Sequence, residues 1–273
     1  MSRPKKSLGQ NFLHDANVAR KIVRALHLRH GDRVLEIGPG KGALTSLLLL
    51  ELPRLTAIEL DNELAGQLNA AFGETLILYN DDVLDVDLRS LALNGHGKFR
   101  IVGNIPYNIT SPILFWIIDS SDVVADCTLM MQREVAQRLV AKPRSKEYGI
   151  LSVFVQYYST PKLLFTVSPQ SFYPVPDVMS AMVSLNFETP RRIRVVDDTT
   201  FRALVRGTFG KRRKTLRNGL RGLDVPAAFL NTASIDLDRR PEELSVVEFV
   251  ALANELSEKQ IHITFNATAH ATR

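Results

Sequence analysis

Between residues 33 and 140, short apolar runs of strand character alternate with longer runs of helical period, and this constrains the fold more than any other feature of the chain. Arg33–Ile37, Leu55–Glu59, Leu76–Tyr79, Phe99–Gly103 and Cys127–Met131 read as strands. Ala43–Leu52, Asp61–Phe72, Thr110–Asp119 and Glu134–Val140 read as helices. Ahead of them, Asp15–Leu28 carries Val18, Ile22, Val23 and Leu26 at helical spacing, with Asp15 placed as an N-cap. Strands joined through helices form right-handed crossovers, which predicts an open, parallel α/β sheet.

Further on, Ile150–Tyr158, Leu163–Val167 and Met179–Phe187 add one helix and a closing pair of strands. The interval Phe172–Pro176 contains two prolines and cannot continue a central strand, because proline lacks the ladder donor. After Thr189 the strand signals stop, and Phe201–Leu220 and Leu244–Leu256 read as helices of a small second domain. The expected division is residues 1–189, then 190–258, then a polar tail over 259–273.

A chain of 273 residues with 45% hydrophobic and 23% charged content is an ordinary globular sequence, neither disordered nor fibrous. Its single cysteine, Cys127, excludes an internal disulfide framework and any Cys-rich metal site. The six histidines lack ligand spacing, so no metal is expected. No apolar run approaches ~20 residues, so no membrane association is expected. The basic start lacks the apolar stretch of a secretory signal, and a cytoplasmic protein is expected.

Charge is distributed unevenly. Pro190–Gly222 holds eleven Lys and Arg against Asp197 and Asp198, a net of +9, which leaves the rest of the chain at −4 within a total of +5. Such a block on a mildly acidic body is the footprint of a phosphate-backbone binder, RNA or DNA. A solvated helix face or a protein-binding site has the same composition.

Chemistry gathers at the strand ends. Gly38-Pro39-Gly40-Lys41-Gly42 follows the first strand and opens a helix, where glycines allow close backbone approach to a ligand. Glu59 ends the second strand, in place to accept from both hydroxyls of a ribose, and Asp82 ends the third, in place to accept from an adenine amino group. An adenosine moiety is thus expected along the carboxyl rim of the sheet. A triphosphate P-loop is disfavoured, since Gly42 stands where Ser or Thr should follow the lysine. The loop alone does not choose between NAD and another adenosine cofactor.

Gly103-Asn104-Ile105-Pro106-Tyr107-Asn108 lies at the tip of the fourth strand. The lone pair of adenine N6 is delocalised into the ring, so this amine is a poor nucleophile. An amide oxygen at Asn104, with a main-chain carbonyl nearby, would accept from the N6–H groups and aim the lone pair at an electrophilic methyl. Tyr107 would stack on the extruded base, and Phe172 would close its other face. An Asn-Pro turn with a packing tyrosine and a core phenylalanine is the structural alternative.

Five ordered segments now carry a resemblance: Lys6–Leu13 (KSLGQNFL), Glu36–Thr45 (EIGPGKGALT), Ile58–Asp61 (IELD), Gly103–Asn108 (GNIPYN) and Ser171–Pro176 (SFYPVP). From Lys6 to about Leu256, the chain resembles the rRNA adenine N6-dimethyltransferases. The resemblance implies a Rossmann-like class I methyltransferase sheet with a small all-helical C-terminal domain, and S-adenosyl-L-methionine as methyl donor. It implies that Asn11, Leu13, Gly38, Glu59, Asp82 and Asn104 contact the cofactor, and that Tyr107 and Phe172 sandwich the target base. The implied substrate is a pair of adjacent adenosines in a hairpin loop near the 3′ end of 16S rRNA in the immature 30S subunit, each methylated twice, and a monomeric enzyme is expected. Ile105 stands where relatives often have leucine. Three rivals stay open: a large-subunit rRNA adenine methylase, a noncatalytic RNA-binding assembly or transcription factor, and an NAD-dependent dehydrogenase.

Overall fold

The computed structural model describes residues 4–5, 9–93, 95, 97–188, 193–210 and 214–265. Contacts divide the chain into two compact units, Met1–Gln137 with Tyr158–Thr189, and Arg138–Tyr157 with Pro190–Arg273. The chain therefore passes between units three times. The segment 138–157, expected in the first domain, groups with the second.

The first unit is built on a seven-stranded sheet. In chain order its elements are β1 (Phe12–Leu13), α1 (Ala16–Leu26), β2 (Arg33–Ile37), α2 (Thr45–Glu51), β3 (Leu55–Ile58), α3 (Asn62–Phe72), β4 (Leu76–Tyr79), α4 (Leu88–Leu93), β5 (Phe99–Asn104), α5 (Thr110–Asp119), β6 (Val124–Gln132) and the first residues of α6 (Arg133–Leu139), whose last two belong to the second unit. After α7 (Ile150–Tyr158) come β7 (Thr160–Val167), β8 (Phe172–Tyr173) and β9 (Ser180–Asn186).

The sheet order is β4-β3-β2-β5-β6-β9-β7, with β9 antiparallel to both neighbours and the remaining pairings parallel. The expected α/β architecture is present, with a mixed rather than purely parallel edge. Strand order reverses between β2 and β5, and open α/β sheets bind ligands at such a reversal. Asp15 and Asp61 cap α1 and α3 by accepting main-chain N–H groups, which fixes where each helix leaves the sheet. α1 then buries Ala19, Ile22 and Leu26, and these join Leu48 of α2 and Leu55 and Ala57 of β3 in one core.

β8 does not enter the main sheet. It pairs antiparallel with β1 as a separate two-stranded ribbon, in keeping with the prolines that follow it.

The second unit is helical in its described residues. Besides the segment carrying α7, it holds α8 (Asp198–Phe209), α9 (Leu216–Arg221), α10 (Ala227–Thr232) and α11 (Val246–Glu258). The single helix expected over Phe201–Leu220 is two. α8 stops at Gly210, and Thr215 adopts extended dihedrals before α9 begins. Phe201 fills the centre, 5.8 Å from Phe154 edge-on and 4.6 Å from Tyr157, while Phe209 stacks on Phe249 at 5.7 Å. Ser245 and Glu248 form a reciprocal capping box on α11. Arg191, Arg192 and Lys211–Arg213 of the basic block, Lys6–Leu8 of the N-terminal motif and 266–273 of the tail lie outside the described residues.

Candidate active site

At the reversal point a cleft of about 270 Å³ opens along the carboxyl ends of β2, β3 and β5. Its walls come from five stretches: Gly9–Phe12, the Gly38–Gly40 loop, Ile58–Leu60, Asp81–Val83, and Asn104–Ile109 with Ile113.

Gly38 and Gly40 both have positive φ, +63° and +58°, a conformation that disfavours side chains. A Cβ on Gly38 would point into the space below the strand tip, its nearest neighbour the main-chain oxygen of Asn104 at 3.9 Å. A Cβ on Gly40 would come within 3.1 Å of the Phe12 ring. The loop is thus shaped to let something else occupy that space.

Glu59 is buried at the end of β3. One carboxylate oxygen accepts the Gly40 N–H at 2.9 Å and the other accepts the Asp61 N–H at 2.9 Å. Burial pushes its carboxyl above the ordinary value, against those main-chain donors, which favour the charged form. Each oxygen keeps a further acceptor site, so the group stays able to receive two hydroxyl donors. Asp82 is half-buried, and its side chain accepts the Leu84 N–H at 2.9 Å, which sets the turn after β4.

At the tip of β5, Asn104 Nδ2 donates to the main-chain carbonyl of Asn11 at 2.8 Å. That bond uses the NH₂ end of the amide and leaves Oδ1 as the acceptor presented by Asn104. Tyr107, in a single turn of tight helix after Pro106, is held by a 2.6 Å hydrogen bond between its hydroxyl and that of Ser180 on β9. Burial raises its phenol above the ordinary value, and the Ser180 hydroxyl opposes this.

The N-terminal wall is fastened from outside the cleft. Lys5 Nζ meets Asp61 Oδ1 at 2.9 Å, and Gln10 Nε2 donates to Asp61 Oδ2 at 3.2 Å. Asp61 also caps α3, so a single carboxylate ties Lys5 and Gln10 to the helix that follows Glu59.

Six of the eight expected site residues, Asn11, Gly38, Glu59, Asp82, Asn104 and Tyr107, line this one cleft. Leu13 and Phe172 do not. They stand opposite each other in the β1–β8 ribbon and turn into the core with Met130 and Met182, Phe172 being 1% exposed. Phe172 is therefore not among the residues that line the cleft beside Tyr107. Phe12 and Gln10 line the cleft without having been expected there. Phe12 has a signal in its partner, since Gly40 lacks the Cβ that would meet its ring.

Below the cleft, Glu36 is fully buried on β2 and its carboxyl is pushed up to about 8, chiefly by desolvation. The Thr45 hydroxyl donates to it at 2.7 Å and opposes that rise, while Glu59 adds to it.

The chain is similar to known proteins. The model of the family described as ribosomal RNA adenine dimethylase matches residues 1–258. The chain is 46% identical over 253 residues to a protein of Xylella fastidiosa named ribosomal RNA small subunit methyltransferase A, covering 92% of this chain and 95% of that one. A protein of the same name from Chlorobium phaeobacteroides is 48% identical, covering 92% and 93%. Among solved structures, a dimethyladenosine transferase from Plasmodium falciparum aligns with TM-score 0.77 at 25% identity, over 92% of this chain and 99% of that one. The 23S rRNA methyltransferase ErmE aligns with TM-score 0.67 at 25% identity, over 90% and 100%.

Proposed function

The chain belongs to the ribosomal RNA adenine dimethylase family, and we propose that it dimethylates N6 of two adjacent adenosines in a hairpin loop near the 3′ end of 16S rRNA, within the immature 30S subunit. S-adenosyl-L-methionine supplies the methyl on a sulfonium, and its transfer to nitrogen leaves S-adenosyl-L-homocysteine and releases one proton from N6.

The residues present fit that donor. Gly38 leaves open the space a Cβ would fill, Glu59 keeps two acceptor positions for ribose hydroxyls, and Asp82 stands at the next strand end to receive the adenine amino group. Asn11 lines the same wall.

The observation that carries the reading is the orientation of the Asn104 amide. Its NH₂ is committed to Asn11, so its oxygen accepts from the N6–H of an adenine and holds the nitrogen lone pair toward the methyl. Tyr107, fixed through Ser180, offers a ring against which the extruded base stacks. The amine attacks uncharged and loses its proton afterwards, so no side chain acts as a base before the transfer.

The test is transfer of labelled methyl to small subunits purified without the modification, followed by mass mapping of the modified adenosines. Two adjacent N6-dimethyladenosines are expected. The likeness to ErmE favours one other reading, a large-subunit substrate, and the same assay on both subunits separates the two.

A further inference from the structure

The β1–β8 ribbon has two faces, and its register decides which aromatic reaches which. Phe12 stands opposite Tyr173, and Leu13 opposite Phe172. Directly opposed residues of an antiparallel pair project to the same side. Leu13 and Phe172 take the core side. Phe12 lines the cleft, so Tyr173 projects to the cleft side, where it is 61% exposed while Phe12 is 8% exposed. Val175 and Val178, just beyond, are exposed as well. Lys41, itself exposed, places its ammonium 4.8 Å from the centroid of the Phe12 ring. Phe12, which lines the cleft, thus has an exposed cation over its ring and an exposed phenol residue opposite it in the ribbon.

We propose that Tyr173 binds the RNA substrate by stacking on an unpaired base next to the adenosine that enters the cleft, with Lys41 answering an adjoining phosphate. This rests on the function proposed above. Bases in a single-stranded loop are unstacked and present flat apolar faces, and an aromatic ring accepts any of them because every base has a π-face. The pairing of a ring with a nearby cation suits a nucleotide, which is a flat base attached to an anion. A partner protein covering Tyr173, Val175 and Val178 would use the apolar surface but has no need of the cation.

Steady-state methyl transfer to unmodified small subunits, with the full-length protein, tests the assignment. For Tyr173→Ala, the KM for subunits is expected to rise on the order of tenfold, with S-adenosyl-L-methionine affinity unchanged, while Tyr173→Phe stays within about twofold because the ring is retained. Lys41→Gln is expected to reduce the slope of log affinity against log salt by about 0.7–0.9, the contribution of one neutralised phosphate, whereas Tyr173→Ala leaves that slope intact. An unchanged KM in Tyr173→Ala overturns the proposal, as does a Tyr173→Phe variant equally impaired. Loss of cofactor affinity in Tyr173→Ala overturns it too, since the ring would then be propping the cleft. A wild-type chain that transfers no methyl to either subunit overturns the function beneath it.

Discussion

Asn104 Nδ2 donates to the main-chain carbonyl of Asn11, 93 positions earlier in the chain, at 2.8 Å. The acceptor belongs to the backbone, so the orientation of the proposed N6-binding amide depends on the path of residues 9–12 and not on the Asn11 side chain.

Asn104→Ala and Asn11→Ala should therefore separate. Removing the amide at 104 is expected to lower kcat by about a hundredfold, the scale for losing one preorganised electrostatic contact. The same change at 11 leaves the 2.8 Å bond in place and is expected to raise the KM for S-adenosyl-L-methionine with little effect on kcat. Steady-state kinetics with the cofactor varied reads both.

Gly103 lies opposite Ile37 where β5 pairs with β2, and a Cβ there would stand 2.7 Å from the Ile37 main-chain oxygen. Gly103→Ala must push the two central strands apart one residue before Asn104. It is expected to cost about 1–3 kcal/mol of stability, measured by urea unfolding, and to reduce methyl transfer at temperatures where the protein is still folded.

Glu36 makes stability depend on pH with a definite sign. Its folded carboxyl titrates at about 8, above its ordinary value of 4.5. Below 4.5 both states hold the proton; between 4.5 and 8 the unfolded chain releases it while the folded chain keeps it. Stability therefore falls as pH rises through that window, by up to ~1.4 kcal/mol per unit, and the loss is complete above it. Glu36→Gln keeps an acceptor for Thr45 and should flatten this slope. Urea midpoints compared at pH 5 and pH 8.5 should show the variant gaining on the wild type at the higher pH.

The basic block should act through charge. Within it, Arg202 pairs with Asp198 at 2.6 Å and Arg217 with Asp238 at 3.1 Å, which commits part of its charge internally. Lys214 and Arg221 are exposed. Neutralising Lys211, Arg212, Arg213 and Lys214 together should weaken rRNA binding and flatten its salt dependence by ~0.7–0.9 for each phosphate left without its cation, whereas Arg202→Gln should do less. Filter binding across a salt series is the measurement, and an unaltered slope in the fourfold variant would place the RNA-binding surface elsewhere.

The features legible in the sequence are those set by local chemistry. Arg33–Ile37, Leu76–Tyr79 and Thr110–Asp119 begin and end where the apolar pattern changes, and the structure has the same bounds. Glu59, Asp82 and Asn104 can be found because each is a polar side chain at or just past a strand end that aims it at the rim. Leu13 and Phe172 cannot be placed this way, because a two-residue strand is too short for alternation to say which side faces inward. Only the pairing of residue 13 with residue 172 decides it. The six-residue helices Leu88–Leu93 and Ala227–Thr232 leave no clear signal, since so few residues carry little period. The grouping of 138–157 with the second unit depends on contacts between segments far apart in sequence, and no local pattern announces it.

The β1–β8 ribbon sets an order of assembly. Residues 12 and 13 emerge first during synthesis, yet their partners are residues 172 and 173. Until the later pair has been made, the earlier one has no strand to lie against, and the carbonyl that steers Asn104 belongs to the residue just before it. A nascent chain carrying every residue of the glycine loop and the strand tips would thus still lack the latch that turns them into a working site, so the capacity to methylate comes late in the birth of the protein.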